Sequence, residues 1–235
     1  MKRARHIHQK VERRKNILAT ALGLLEELPF QDITMTQVAE RTGLVKGTLY
    51  LYFATKEELF LELLRDQFHG WFWDLEAGLE SLPRRGRLEA AARLLADTTA
   101  ARHTFRRLLG ILHGVLEQNL PEESALAFRR ELLARSLAMG ALLERHLAFL
   151  APGQGFRLLL QSQALTIGLQ AMTEPSDTLR QVLDHPDLAP LKLDFGQAFL
   201  EGILDSMIGL KTENKRSRHR TAGAQQDPSD SEAQS

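Results

Sequence analysis

The chain contains no cysteine. A disulfide scaffold, a thiolate metal site, a cysteine nucleophile and a thiol redox sensor are therefore excluded. Long hydrophobic runs are also missing: no stretch reaches the roughly 18 apolar residues of a membrane span, and the first residues lack the apolar segment of a secretory signal. These absences lead us to expect a cytoplasmic protein that has no membrane partner.

An excess of charge of one sign is absent too, because 30 Lys and Arg residues balance 30 Asp and Glu residues. The distribution along the chain is nevertheless uneven. Residues 1–15 hold seven basic residues and one acid, whereas residues 61–210 hold 15 basic and 19 acidic residues. The neutral sum therefore combines a basic front end, which suits a polyanionic partner, with a mildly acidic body.

Motifs of the common catalytic sites are lacking. The sequence has no glycine-rich phosphate loop, no GxSxG elbow and no His, Asp and Ser set at a recognisable spacing. His103, His113 and His146 fall on different predicted helices, without the HxxxH or HExxH spacing of a zinc site. We therefore expect no enzyme, no metal site and no cofactor; an enzyme and a purely structural helical adaptor are the alternatives.

Period-two alternation is absent, and apolar residues recur at steps of three and four over residues 11–210. This pattern predicts an all-α protein of about nine helices. We place a first helix near residues 11–28, a second at 36–42 with Thr36 as N-cap, a third near 45–53, and a fourth that starts with a capping box at residues 55–58 and runs to about residue 82. The remaining helices are predicted near residues 88–102, 104–119, 122–150, 155–172 and 195–210.

Residues 36–53, TQVAERTGLVKGTLYLYF, have the pattern of a helix-turn-helix. Gly43 supplies the positive φ of the turn. With Val45, Leu49 and Phe53 directed inward, helical geometry leaves an outward face that suits the major groove of DNA. That face consists of Lys46, Gly47, Thr48, Tyr50 and Leu51, with Tyr52 near its edge. The alternative for the two tyrosines is half-buried ring packing.

The side chains of this face suit DNA chemically. Lys46 can meet a phosphate or a guanine edge, and Gly47 allows the backbone to approach closely. Thr48 can donate to a phosphate or pack its methyl group on thymine, while Tyr50 and Tyr52 offer hydroxyls to phosphates. Lys56 lies at the start of the fourth helix, where free amides favour an anion. The cluster at residues 13–15 is either a solvated face or a phosphate-steering patch.

At residues 17–64 the sequence resembles the DNA-binding domain of the TetR family of bacterial transcriptional regulators. The run Lys46–Tyr50, the pair at 52–53 and residues 56–59 match together at the family's spacing, and the chain departs from it at Pro29, where a glycine is usual. The resemblance implies DNA contacts at Thr36, Val45, Lys46, Gly47, Thr48, Tyr50, Tyr52 and Lys56.

The resemblance also implies an all-helical homodimer that binds a pseudo-palindromic operator as double-stranded DNA. We predict a helix-turn-helix domain with a basic N-terminal arm at residues 1–60, a helical regulatory and dimerisation domain at 61–210, and a disordered tail at 211–235. The small residues Ala164, Gly168 and Gly202 suit close helix crossing, either between two subunits or within one.

Aromatic residues cluster on the fourth helix at Phe68, Trp71, Phe72 and Trp73. Core packing and a ligand pocket both explain this run. We predict a small-molecule effector that is largely apolar and is bound by Phe68, Trp71, Phe72 and His113. As the family implies, effector binding is expected to release the operator and relieve repression, and activation is the alternative.

Overall fold

The computed structural model describes residues 2–224 in backbone and residues 8–217 in side chains. Within this range the chain contains no strand, which confirms the all-α prediction, and nine helices have seven or more residues. The α-helices are α1 (Lys2–Glu27), α2 (Met35–Thr42), α3 (Lys46–Tyr50), α4 (Lys56–Glu80), α5 (Arg87–Ala100), α6 (His103–Ile111), α7 (Glu122–His146), α8 (Gln154–Thr173), α9 (Asp177–Leu183) and α10 (Phe195–Ala224). No described helix has the length and hydropathy needed to cross a membrane.

The helix-turn-helix forms as predicted, with two changes at its helix ends. Thr34, and not Thr36, is the N-cap of α2: its Oγ1 accepts from the Gln37 N–H at 3.2 Å, and the Gln37 Oε1 accepts from the Thr34 N–H at 2.7 Å. Gly43 ends α2 at φ +68°, as the turn requires. The second change is that α3 is a short helix of five residues, which ends before Phe53.

The predicted basic arm is itself helical, because α1 begins at Lys2 and continues to Glu27. This corrects the assignment of residues 2–10 to an arm that precedes the first helix. Arginine, lysine, glutamine and alanine have high helix propensity, so the polar start of α1 does not need an apolar face to extend the helix. Arg13 and Lys15 are exposed on α1, whereas Arg14 is half-buried.

The long helix α4 connects the two halves of the molecule, since it contacts α1 on one side and α5, α6 and α7 on the others. Its predicted N-cap is confirmed: the Thr55 Oγ1 accepts from the Glu58 N–H at 3.1 Å. The Glu58 carboxylate accepts from the Ala54 N–H at 2.9 Å, one residue earlier than a capping box requires. Because α4 spans residue 60, a single rigid element crosses the predicted domain boundary.

The C-terminal half is a helical bundle in which α7 and α8 cross at two glycines. A Cβ placed on Gly140 would lie 2.6 Å from the Phe156 N, and one placed on Gly155 would lie 2.9 Å from the Gly140 Cα. Backbones therefore touch at this point, and no larger residue fits at either position. Beyond Ile111, α6 continues into a π-helical turn at Leu112–Leu116 and a 3₁₀ turn at Glu117–Asn119.

The last helix extends further than its composition suggests, because α10 continues to Ala224. The prediction of a disordered tail is thus corrected for residues 211–224, and its remainder, residues 225–235, lies outside the described residues. Contacts to the loop before α8 and to the first turn of α8 hold the extension. The Asn214 Nδ2 donates to the Phe149 carbonyl at 2.6 Å, and Glu213 forms an ion pair with Arg157 at 2.8 Å.

Candidate DNA-binding surface and effector cavity

The outward face of α3 is accessible as predicted. Lys46, Gly47, Tyr50 and Leu51 are exposed, with 82% of the surface of Leu51 open to solvent. Leu49 is fully buried beneath them and fixes the helix to the core. A short helix is thus held from below and leaves its upper side free, the arrangement that places side chains in a major groove.

Val45 differs from the inward orientation derived from helical periodicity, because it is 77% exposed. It is the N-cap of α3 and has an extended backbone with ψ 137°, so helical spacing does not apply to it. The exposed position agrees with the DNA contact implied by the family resemblance. Thr36 is exposed in the first turn of α2, while Thr48 and Tyr52 are half-buried at the side of α3.

Lys56 does not join this face. Its Nζ donates to the carbonyl oxygens of Phe30 and Ile33, each at 2.8 Å, and lies 4.1 Å from the centre of the Phe30 ring. Burial lowers the pKa of this ammonium group. Lys56 therefore fastens the connection between α1 and α2 to the start of α4, which its position in the motif alone did not reveal.

Arg14 fixes the end of the recognition unit from the opposite side. Its guanidinium carbon lies 4.5 Å from the centre of the Phe53 ring, and its Nη1 donates to the Tyr52 carbonyl at 3.5 Å. The Nη2 also pairs with the Glu62 carboxylate on α4 at 3.1 Å. The sequence marked residues 13–15 as one basic cluster, but the middle residue of the three is directed inward and acts as a clamp.

An ion-pair chain continues from this clamp into the C-terminal half. Glu62 pairs with Arg65, the Arg65 Nε lies 3.0 Å from the Glu131 Oε2 on α7, and the Glu131 Oε1 lies 3.0 Å from the His69 Nε2. Burial raises the pKa of the Glu131 carboxyl, but the hydrogen bond from His69 and the charge of Arg65 outweigh it and set the pKa below its usual value. The chain links α7 through α4 to α1.

A second link to the reading head, the N-terminal unit formed by α1, α2 and α3, comes from α6. The Arg107 guanidinium donates to the Leu25 carbonyl and, at 3.1 Å, to the Leu28 carbonyl. The Leu25 carbonyl belongs to the last turn of α1 and the Leu28 carbonyl follows that turn directly, where a cation also interacts favourably with the helix dipole. Nothing in the local sequence pattern pointed to this contact, since the two partners are about 80 positions apart.

An apolar cavity lies between α4, α6, α7 and α8. Its volume is only about 20 Å³, which is room for about one water molecule. In this conformation the cavity is thus nearly filled by its own walls. Its lining residues are Phe68, Trp71, Phe72, Phe105, Leu109, Ser136, Leu159, Leu160, Ser162, Gln163 and Thr166.

Three of the four predicted ligand-binding residues, Phe68, Trp71 and Phe72, line this cavity. His113 does not: it is exposed, and its Nδ1 lies 3.0 Å from the Glu117 Oε2 and 2.9 Å from an Arg129 nitrogen. The π-helical turn changes the register after α6 and thereby directs His113 away from the cavity. Trp73 is 73% exposed and also lies outside it.

The fold and the exposed α3 define a class of protein, a helix-turn-helix DNA-binding regulator with a helical C-terminal domain. Residues 17–63 match the family model "Bacterial regulatory proteins, tetR family", and residues 65–214 match the model "Tetracyclin repressor-like, C-terminal domain". The chain belongs to the TetR family of transcriptional regulators, as the sequence resemblance predicted.

Curated relatives are regulators as well. The chain is 33% identical over 90 residues to the HTH-type transcriptional repressor KstR of Rhodococcus jostii, a match that covers 38% of this chain and 41% of that protein. It is 43% identical over 53 residues to the regulator EthR of Mycobacterium tuberculosis, covering 23% of this chain and 24% of EthR. The matches thus span less than half of these relatives.

Solved structures share the fold along most of the chain. A TetR-family regulator from Mesorhizobium loti superposes with a TM-score of 0.55 at 15% identity, covering 85% of this chain and 95% of its own. A TetR-family regulator from Streptomyces coelicolor gives a TM-score of 0.54 at 15% identity, covering 87% and 89%. At these identities the similarity concerns the fold alone.

Proposed function

We propose that the protein is a homodimeric repressor that binds a pseudo-palindromic operator and is released from it by a small, largely apolar effector. The observation that carries the proposal is the exposed face of α3, whose polar and apolar side chains stand free above the buried Leu49. A recognition helix of this kind reads base edges from the major groove, and two of them in a symmetric dimer read two half-sites.

The DNA contacts are proposed at the exposed positions and at the two half-buried residues beside them, which are Thr36, Val45, Lys46, Gly47, Thr48, Tyr50 and Tyr52. Lys56 is assigned a positioning role instead, because its ammonium is bound by two carbonyls of the α1–α2 connection. Apolar Val45 and Leu51 suit contact with thymine methyl groups, whereas Lys46 provides charge for phosphates or guanine.

Fluorescence anisotropy at several salt concentrations, on an operator selected from random DNA, tests these contacts. Tyr50→Ala is expected to weaken specific binding by about 1–3 kcal/mol, and Lys46→Ala to reduce the salt slope by about one. Lys192→Ala is the matched control, because it removes one exposed lysine in the C-terminal half. If both α3 variants bind the operator with the affinity and salt slope of the parent, the proposed DNA contacts are wrong.

The dimer interface is proposed on the exposed faces of α8 and α10. Ala164 and Gly168 are exposed on α8, four residues apart, and Ile208 is 51% exposed on α10. The two helices are joined within one chain where Gly202 of α10 admits Leu165, whose side chain would lie 3.1 Å from a Cβ at that glycine. The small residues are therefore divided between the proposed interface and the intramolecular crossing.

Sedimentation velocity tests this interface. Ile208→Glu is expected to give monomers that bind operator weakly, because a charge in the centre of an apolar interface is costly to bury. Leu126→Glu, on the exposed side of α7, is the control for adding a charge at an exposed leucine and is expected to leave the dimer intact. Dimers of Ile208→Glu at the parent's dissociation constant would place the interface elsewhere.

The location of the cavity supports the proposal that an effector releases the operator. Its walls include α4 and α6, and both helices contact α1. Because the cavity is nearly filled, a ligand must displace side chains on these helices, and it thereby favours a conformation with a different placement of the reading heads. Compounds that bind to the cavity are expected to lower operator affinity, and binding without any change in operator affinity would refute this part.

A further inference from the structure

We propose that the cavity selects an uncharged, flat apolar molecule that carries a hydrogen-bond acceptor, and that the Trp71 Nε1 is the donor that recognises it. The inference rests on the proposed effector role of the cavity and adds the chemical class of the effector. Two independent features carry it: the absence of charge from the cavity wall and an unpaired donor in one of the wall's side chains.

None of the eleven residues that line the cavity is charged. The cations that neighbour lining residues in sequence are already bound elsewhere: the Arg106 Nε donates to the Gln170 Oε1 at 3.0 Å, and the Arg135 Nε pairs with the Glu131 Oε1 at 3.3 Å. A charged ligand would lose its hydration without gaining a counter-ion, which strongly disfavours anions and cations alike. The wall therefore selects for neutrality as well as for apolar surface.

Flatness follows from the aromatic side of the wall. The rings of Trp71 and Phe105 stack with their centres 5.4 Å apart at 29°, and Phe68 meets Phe105 edge-on at 4.9 Å. Room for about one water remains, so a ligand enters by separating rings that already lie nearly parallel. A planar molecule between the Trp71 and Phe105 rings would stack on both of them, so their lost contact is replaced and the wall moves least.

The donor is Trp71. Its side chain is 95% buried, and its Nε1 is buried without an acceptor among the described residues. Buried donors are rarely left unpaired, and indole nitrogen can only donate. The two buried hydroxyls of the wall do not compete, because Ser162 donates to the Leu158 carbonyl and Thr166 to the Ser162 carbonyl, at 2.9 and 2.8 Å.

The other polar side chains of the wall are less selective. Ser136 and Gln163 are only half-buried, so water can satisfy them with or without a ligand. The hydroxyls of Ser162 and Thr166 retain lone pairs, which can accept from a ligand but cannot donate to it. The one unmet requirement in the cavity is thus an acceptor for the indole N–H, such as a ketone, ester or ether oxygen.

A matched set of naphthalene derivatives tests the proposal, with Trp73→Phe as the background. Trp73 is exposed and the chain has two tryptophans, so this variant leaves Trp71 as the single fluorescent reporter. The probes are naphthalene, 2-acetylnaphthalene, 2-naphthoate and 2-naphthylmethylammonium. We expect 2-acetylnaphthalene to quench Trp71 with a dissociation constant about tenfold below that of each of the others, as one added hydrogen bond provides.

Trp71→Phe removes the donor and keeps an aromatic ring. Measured by calorimetry, it is expected to abolish the advantage of 2-acetylnaphthalene over naphthalene while naphthalene itself binds within about twofold of its former constant. A second readout needs no change at position 71: in the ¹⁵N–¹H spectrum of the Trp73→Phe protein, the indole N–H proton is expected to move downfield with the ketone and not with naphthalene.

Several results would overturn the inference. These are binding of naphthoate or the ammonium as tight as that of the ketone, equal binding of naphthalene and the ketone, an unmoved indole proton, or no binding of any probe. Operator binding, measured first without probes and then with them, distinguishes a failure of the proposed effector chemistry from a failure of the proposed function. If the operator is bound and the series fails, only the effector chemistry is wrong; if the ketone binds but the operator stays bound, the proposed release is wrong.

Discussion

The contact between α7 and α8 at Gly140 and Gly155 gives a sharp test of the fold around the cavity. A Cβ at position 155 would overlap the Gly140 carbonyl oxygen and lie 2.7 Å from the Gly140 carbonyl carbon and 2.9 Å from its Cα. All three are backbone atoms, which cannot rotate away as a side chain can. Gly155→Ala must therefore push the two helices apart or distort one of them.

The magnitude follows from two opposing terms. Forcing an extra carbon into a packed region costs about 1–3 kcal/mol. Replacing glycine by alanine within a helix returns about 0.5–1 kcal/mol, and less near a helix start such as position 155. We expect a net loss of about 0.5–2.5 kcal/mol in the free energy of unfolding, which for a chain of this length lowers Tm by about 1–10 °C.

The matched control is Gly23→Ala in α1, where no described atom lies within 4 Å of the added Cβ. This control is expected to raise Tm slightly because only the helix-propensity gain remains. The assay is thermal unfolding followed by circular dichroism. A Tm for Gly155→Ala at or above that of the parent, alongside a normal control, would show that the helices do not cross backbone to backbone.

Three further predictions concern hydrogen bonds and ion pairs that join different helices. Arg107→Met removes both hydrogen bonds to the end of α1, and in urea unfolding we expect a loss of about 1–3 kcal/mol; an unchanged midpoint would mean that the link does not form. Glu62→Gln leaves Arg14 without its carboxylate and is expected to cost about 0.5–1 kcal/mol in unfolding free energy and to weaken operator binding; unchanged values for both would contradict a clamp. Burial raises the pKa of the Glu117 carboxyl, but Arg129 and His113 outweigh it and lower the pKa below its ordinary value of 4.5, so the stabilisation is present above that value and lost as pH falls through the folded pKa. Arg129→Met is thus expected to flatten this acid dependence in unfolding curves, and an unaltered pH profile would refute the assignment.

The sequence predicted the parts of the fold that depend on local chemistry. Gly43 requires a positive φ and Thr55 caps α4, and both are found where expected. The predictions that failed depend on context. Helical spacing assigned Val45 to the inward face of the third helix, but Val45 is the N-cap of α3 and lies outside the helix. Thr34 caps α2 in place of Thr36, because the Gln37 side chain also accepts a hydrogen bond from the Thr34 backbone.

The lining of the cavity could be predicted from the sequence only for the residues that lie on one helix, α4. Phe68, Trp71 and Phe72 fall on one side of α4, and the cavity forms against that side. Its remaining walls come from α6, α7 and α8, whose alignment depends on long-range packing that periodicity does not encode. His113 illustrates the difficulty: a π-helical turn inserts one extra residue per hydrogen-bonded ring, and this rotates the side chain away from where α-helical spacing would place it.

The contacts that hold the reading head in place share one chemical feature: in each, a cationic side chain donates to backbone carbonyls. Lys56 binds the carbonyls of the α1–α2 connection, Arg14 that of Tyr52 after α3, and Arg107 those at the end of α1. These carbonyls lie in turns and at helix ends, where backbone acceptors have lone pairs to spare, so the elements that carry them gain rigidity from charge-assisted hydrogen bonds.

The same use of charge alters what the basic front end offers to DNA. Of the ten basic residues at 1–60, Arg14 and Lys56 are bound to the protein's own backbone, and Arg41 pairs with Glu27 at 2.5 Å. The cation on α3 itself is Lys46. Fewer cations of this segment are therefore free to meet phosphates than its count of ten suggests, and the salt dependence per half-site is expected to be correspondingly smaller, because each phosphate contact requires a free cation. We expect the apolar and hydroxyl contacts proposed for α3 to contribute to discrimination between sequences, and salt screens their energies less than those of charged contacts.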